Sequence, residues 1–484
     1  MKKKILRMLS EKGILADTDA VDSLSKLPDP LNCVRTILHD ENRPLVLTKA
    51  DVENYLACPA RPIAPRSISI EHVSERGLKS MDTSIPDDGV KVLKDITGDS
   101  TCVGNVIDFA KLFNDRFRAI RRILARRREL VGFVSIGKAK KVQRDVRFIG
   151  IVNDVRTTKN GHTAIDLEDE EDKVHVLIMK GSKSADTMIT DEVVGVVGSF
   201  SKDREMVVAK EIIRPDVPVN SSMTPNGSSS VVAFVSDIHV GSSMFLQEEW
   251  GRFIDWLDKD PEASKIMYII MPGDLVDGIG IYPSQEDELL IEDIYAQYTE
   301  LARLVSMIPE RIKIVMMPGN HDAVRLAEPQ PALPSSIASM FDSRTKFVGN
   351  PCLMEIEGRT ILAYHGRSMD DFIGSIRDLS YKDPSEIMKE MLRRRHMAPI
   401  YGKHTAIAPE QKDYLVIDRV PNIFVTGHVH ACSVSEYRGI KLINASAWQS
   451  QTAFQRMHNQ VPDPAKVPMV DLGTGDVWVK DFST

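Results

Sequence analysis

The chain has 484 residues, 42% of them hydrophobic and 27% charged, with a net charge of -7. That length exceeds what one hydrophobic core usually organises, so two or three domains are expected, and proportions this ordinary for a soluble globular chain name no function. Five scattered cysteines (Cys33, Cys58, Cys102, Cys352, Cys432) without a CxxC pair argue against a disulfide framework or a cysteine zinc site and suit a reducing cytoplasm.

The N-terminal MKKKILRMLSEKGIL is basic, but charges interrupt its apolar residues, which excludes a signal peptide, and no later run approaches a membrane span. Residues 1–60 carry helical spacing, with Thr48 to Asp51 as a helix start, and form an expected helical module. The Pro-, Ser-, Asp- and Gly-rich stretch after it makes 61–109 an expected linker. The segment 110–214 is expected to be an arginine-rich helix followed by a small barrel. Between Ala110 and Leu130, Phe113, Phe117, Ile120 and Leu124 form an apolar stripe among seven arginines, which either face solvent or meet DNA or a partner. Short apolar or alternating runs follow at Val131–Ile136, Phe148–Val155, Ala164–Leu167, Val174–Met179, Val193–Val197 and Met206–Ala209. Such strands, separated by turn chemistry such as Asn160-Gly161, suit an OB-fold-like barrel. Residues 215–230 read as a flexible linker, and 231–484 as a second large domain.

That second domain carries the chemistry. Five short apolar runs each end in side chains suited to metals: Asp237 and His239; Asp274 and Asp277; Asn320, His321 and Asp322; His365; and His428 with His430. Open α/β sheets build their sites at the carboxyl ends of strands, where distant loops converge. Asp-x-His and His-x-His place both side chains on one face of extended chain, because side chains alternate with period two. Any one histidine alone is more often an ordinary residue than a ligand, yet five of the chain's twelve fall at these strand ends. Oxygen and imidazole donors without thiolate favour Mn, Fe or Zn.

The ordered series D-x-H, G-D-x-x-D, G-N-H-D, H-G and G-H-x-H resembles the calcineurin-like metallophosphoesterases over about 231–450. The resemblance implies a double-sheet sandwich flanked by helices, and two divalent metal ions, Mn foremost with Fe or Zn as alternatives. It implies that Asp237, His239 and His430 hold one ion, that Asn320, His365 and His428 hold the other, and that Asp274 bridges them. It casts His321 as the catalytic histidine and Asp322 as the residue orienting its ring. Asp277 is read as a supporting residue rather than a ligand.

A barrel ahead of such a domain, together with Met391–Gly402, Ala408–Glu410 and Tyr414–Pro421, is similar to the small subunits of archaeal family-D DNA polymerases. That resemblance implies a 3′-5′ exonuclease acting on the single-stranded primer 3′ end of DNA, a large polymerising subunit as partner, and a sliding clamp as a candidate further partner. A non-catalytic scaffold and a stand-alone phosphatase or cyclic-nucleotide phosphodiesterase remain as alternatives. Arg393, Arg394, Arg395 and His396 are expected either to touch the DNA backbone or to end a solvent-facing helix. Trp448 either stacks on a base or fills a core.

Overall fold

The structure is a computed structural model that describes residues 89–142, 145–219 and 223–483, together with scattered positions between 2 and 52. The chain divides into two compact units, Met1–Thr83 and Ser84–Thr484. In the first, a helix Thr18–Ser25 packs Ala20, Val21 and Leu24 with Ile5, Val34 and Val52, and Leu15–Ala16 pairs in parallel with Val46–Leu47. Most of the expected helix start at Thr48 to Asp51, and residues 61–88 of the expected linker, lie outside the described residues.

The second unit begins with a correction. Val90–Lys94 (β1) is an edge strand pairing antiparallel with Cys352–Ile356, so the linker expected over 61–109 does not reach its end. Helix α1 (Val106–Leu124) follows. Its stripe of Phe117, Ile120 and Leu124 packs on Leu130, Ile149, Ile151 and Val193, and Arg116 turns inward.

Strands β2 (Val146–Thr157), β3 (Thr163–Glu168), β4 (Lys173–Ile178), β5 (Val193–Phe200) and β6 (Met206–Ile213) close into a barrel of order β2-β3-β4-β6-β5. Alternation drives it: Thr163, Ile165 and Leu167 point in while their neighbours are half-exposed. The strand expected at Val131–Ile136 is absent. Gly132 turns the chain with φ +77°, and Ile136–Ala139 forms a short helix whose Ile136 and Ala139 enter the barrel core. The stretch 215–230 is anchored where described. Asp216 pairs with Arg438, Asn226 donates to Glu357 O, and Thr224 O accepts from Arg359, so it is not the free linker its composition suggested.

Beyond it lie β7 (Val231–Phe234), α2 (Gln247–Lys259), β8 (Ile266–Pro272), α3 (Ile294–Ser306), β9 (Lys313–Met317), β10 (Thr345–Phe347), β11 (Cys352–Ile356) and β12 (Arg359–Ala363). They are followed by α4 (Met369–Ser375), α5 (Pro384–Arg394), β13 (Ile423–Thr426), β14 (Ser433–Tyr437), β15 (Ile440–Asn444), α6 (Ala453–Met457), β16 (Lys466–Asp471) and β17 (Val477–Asp481). Two six-stranded sheets result, ordered β10-β9-β8-β7-β16-β17 and β14-β15-β13-β12-β11-β1. Continuous apolar runs such as Ile266–Pro272 mark parallel strands covered on both faces. One face of each sheet meets the other sheet through Val232, Phe234, Ile270 and Val315 against Met354, Ile361, Ile423 and Val425. On the outer faces, Trp250, Phe253 and Leu257 of α2 cover the first sheet, and Phe372, Ile387 and Met391 of α4 and α5 cover the second.

Candidate metal centre

The loops after β7, β8, β9, β12 and β13 meet at one edge of the sandwich. Asp237, His239 and His430 bring one donor atom each within 4.8 Å of one another, as do Asp274, His365 and His428, and also His239, Asp274 and His321. Asn320 Oδ1 joins the second group, 3.1 Å from His365 Nε2, and Asp274 Oδ1 lies 3.2 Å from the same nitrogen. His239 Nε2 is 3.1 Å from His430 Nε2, which is 3.4 Å from Asp237 Oδ1. Asp274 thus stands between two donor sets.

The backbone is bent to achieve this. Asp237, His239, Asp274, His428 and His430 all have positive φ, between 48° and 70°. Each such residue costs on the order of 1–3 kcal/mol and persists only where its surroundings over-determine it. Here His428 N donates to both Asp237 carboxylate oxygens at 3.1 and 3.0 Å, and His321 N donates to Asp274 Oδ1 at 2.9 Å. Two glycines are required by space. A Cβ on Gly319 would sit 2.2 Å from Asp274 Oδ1, and one on Gly427 would sit 2.4 Å from Asp237 Oδ2.

The hydrogen bonds around the imidazoles fix which ring nitrogens can meet a cation. His239 Nδ1 lies 3.1 Å from Asp277 Oδ1, and His365 Nδ1 lies 2.9 Å from Pro272 O. Both partners only accept, so each Nδ1 carries the proton and each Nε2 of a neutral ring turns a lone pair inward. The His365 lone pair then faces the oxygens of Asn320 and Asp274, an arrangement that needs a positive species between them. Without a metal ion a proton takes that place. Burial alone would lower the His365 pKa, but the adjacent Asp274 carboxylate outweighs it and lifts it to about 10. Burial keeps His239 and His428 below the usual imidazole range. The Asp274 carboxyl, which burial would raise, is instead held well below its usual range by His365, His321 and His239. The donor set suits hard or borderline divalent cations.

His321 is half-buried, with Nε2 3.8 Å from Asp274 Oδ2. Its ring is set by Nδ1 donating to Asp277 O at 2.7 Å, not by Asp322. Asp322 faces away: its carboxylate accepts from Tyr298 Oη, Gly319 N and Leu275 N and braces the turn that presents Asn320 and His321. Burial and the nearby Asp274 raise its pKa to about 6. Adjacency in sequence pointed to the wrong orienting group, because a main-chain carbonyl leaves no residue-type signal.

The basic cluster, expected to face DNA or solvent, is largely buried. Arg394 is 1% exposed and pairs with Glu390 and, at 3.2 Å, with Glu192 of the barrel. Arg395 is buried, donating to Ile417 O and Asp418 O, and His396 is buried against Asp413. Arg393 pairs with Glu390 and lies over the Tyr437 ring. Arg394, Arg395 and His396 hold the fold together rather than reach outward, while Arg393 stays partly exposed. Trp448 is a core residue packed on Trp250 and Phe253.

Three functional neighbours escaped sequence reasoning. Asp370 Oδ2 lies 3.3 Å from His428 Nε2, which leaves Nδ1 as the ring nitrogen able to bind an ion. Gln455 Nε2 lies 2.9 Å from His430 Nδ1. Asn350 Oδ1 accepts from His365 N at 3.0 Å. Only Gln455 left a trace, as the last residue of the T-x-x-Q capping box opening α6.

Comparison with known proteins yields a consistent family. The family model for the B-type subunits of DNA polymerases alpha and epsilon matches residues 232–434. The DNA polymerase II small subunit of Methanothermobacter thermautotrophicus is 38% identical over 489 residues, spanning 97% of this chain and 98% of that one. Its namesake from Halobacterium salinarum is 37% identical over 505 residues, spanning 99% of both. That of Methanocaldococcus jannaschii is 43% identical over 391 residues, 78% of this chain and 66% of the longer relative.

Proposed function

The chain belongs to the family of archaeal DNA polymerase II small subunits, and from that premise we propose that its strand-end cluster hydrolyses DNA phosphodiesters as a metal-dependent 3′-5′ exonuclease. The carrying observation is the pair of donor sets on either side of Asp274, with the Nε2 lone pairs of His239 and His365 turned inward. Asp237, His239 and His430 would hold one ion, and Asn320, His365 and His428 the other. Two divalent ions held there would supply Lewis acidity to the phosphate and acidify water, the usual service of metal pairs ~4 Å apart.

The chain's own residues do the rest. His321, with Nδ1–H fixed on Asp277 O, presents Nε2 towards the reacting phosphate, placed to pass a proton or hydrogen bond to the leaving oxygen. Asp277 and Asp370 keep their histidines in the donor tautomer. Membership among small subunits supports a heterodimer with a large polymerising subunit and the primer 3′ end of DNA as substrate. The barrel's 1-2-3-5-4 strand order, with its third and fifth strands parallel, supports reading it as an OB-fold.

The test is to co-purify the chain with its partner and follow end-labelled DNA carrying a 3′ mismatch, with Mn, before and after Asp274→Ala. Cleavage from the 3′ end, lost in the variant while the partner stays bound, is expected. If the wild-type complex releases no nucleotide with Mn, Fe or Zn, the chain is a scaffold and the proposal falls.

A further inference from the structure

Two segments outside the donor cluster lean on it and carry aromatic rings. One is the loop after β8, whose Gln285 Nε2 donates to Asp277 O and Asp277 Oδ2, both at 2.8 Å. The other is α6, whose Gln455 touches His430. Glu288 clips them together, accepting from Ala453 N at 2.9 Å and from Tyr282 Oη at 3.1 Å. Across this clip Tyr282 and Phe454 have ring centroids 5.6 Å apart, and Phe454 and His458 have theirs 4.2 Å apart with planes inclined by 35°. Tyr282 and Phe454 are half-buried, His458 is exposed, and Met457 beside them is 78% exposed. Among the described residues, neither Tyr282 nor Phe454 belongs to a hydrophobic core cluster. Packing therefore does not account for this run of rings at the rim of the metal centre.

We propose that Tyr282, Phe454 and His458 form a stacking platform for the unpaired bases of a single strand whose terminal phosphodiester lies in the donor cluster. The inference rests on the phosphodiesterase reading and names the side chains that would hold the bases of its single-stranded primer end. Aromatic side chains left partly exposed at a cleft edge can stack on bases irrespective of sequence, because every base offers a π face. Bases inside a duplex are already stacked and offer none.

The experiment uses the co-purified complex and single-stranded oligonucleotides that are either intact or abasic at the last three 3′ positions. Wild-type complex is expected to show a KM roughly tenfold or more lower for the intact strand, the size of effect stacking supplies. Phe454→Leu should bring the two KM values together, whereas Phe454→Trp should keep the preference and show tryptophan quenching on binding. Equal KM values in the wild type, or a preference untouched by Phe454→Leu, overturns the platform. So does loss of the polymerising subunit from Phe454→Leu with the preference intact, which would make the rings a protein interface. Bis(p-nitrophenyl) phosphate separates the two layers. If the wild type hydrolyses it while the base preference is absent, only the platform fails; if it hydrolyses neither this diester nor DNA, the phosphodiesterase reading fails and takes the platform with it.

Discussion

Replacing Asp277 by Asn changes one oxygen for an amino group and should weaken the metal centre without unfolding the domain. The carboxylate is ringed by donors: His239 Nδ1 at 3.1 Å and Gln449 Nε2 at 2.9 Å on Oδ1, and Gln285 Nε2 at 2.8 Å on Oδ2. An amide can accept through only one of its two arms. If its nitrogen faces His239, the imidazole must accept at Nδ1, the proton moves to Nε2, and the lone pair aimed at Asp237 and Asp274 is lost. If its nitrogen faces Gln285, two donors oppose each other unless Gln285 turns over and gives up its bond from Ile281 N. The first rotamer removes a ligand lone pair and the second loosens the loop that carries Asp277, and loss of such an orienting partner typically costs 10–100-fold in metal affinity, about 1.4–2.8 kcal/mol. Isothermal titration calorimetry with Mn on wild type and variant measures it directly. An unchanged Kd in a folded Asp277→Asn protein would refute the tautomer argument.

Other outcomes follow from the same contacts. Arg116 is fully buried and donates to Asp413 Oδ2 at 2.8 Å and Pro399 O at 2.6 Å, so Arg116→Met strands a buried carboxylate and should lower the unfolding free energy by roughly 3–5 kcal/mol in urea titrations. Adding Asp413→Leu should recover only part of that loss, because it removes the orphaned charge but leaves the buried His396 Nε2–H without its acceptor. His396 accepts from Ala398 N at Nδ1 and, through Nε2, donates to Asp413, which fixes the neutral ring; burial and neighbouring Arg116 lower its pKa to about 4. The unfolded chain then binds the extra proton first. Stability should therefore be complete above about pH 6.5 and fall as pH drops towards 4, by on the order of 3 kcal/mol, and His396→Gln should flatten that slope in denaturation curves at pH 7.5 and 5.

The donor residues were legible because each sits in a short signature at a strand end, where a run of apolar residues, a glycine and a ligand are contiguous. What holds those donors was not. Gln455 meets His430 from across 25 residues, and Asp277 fixes His321 through a carbonyl that every residue possesses. Val90–Lys94 was hidden for a related reason. Its VKVLK pattern lies in a polar stretch, and its partner strand begins at Cys352, so nothing local announces an edge strand. The run Val131–Ile136 has strand composition, yet Gly132 with φ +77° breaks it and the barrel needed a plug.

The basic cluster at Arg393–His396 carries the wider consequence. Counting charge along a sequence sees the cations but not the acids that fold against them: Glu390 one turn away, Asp413 across a loop, and Glu192 from the barrel. Glu192 also pairs with Arg214, where the barrel ends, and Arg394 reaches Thr187 O on the barrel's last connection before β5. The segment that carries the family resemblance, expected to touch DNA or to end a solvent-facing helix, is thus the joint between the barrel and the two-sheet sandwich. On the other side of that joint, α5 lies against the sheet strand β15 and touches β13 through Met388 at Thr426, two residues before His428. Residues that carry a family resemblance need not meet the substrate; here burial and charge pairing assign them to holding the barrel in a fixed register with the strand that delivers His428 and His430.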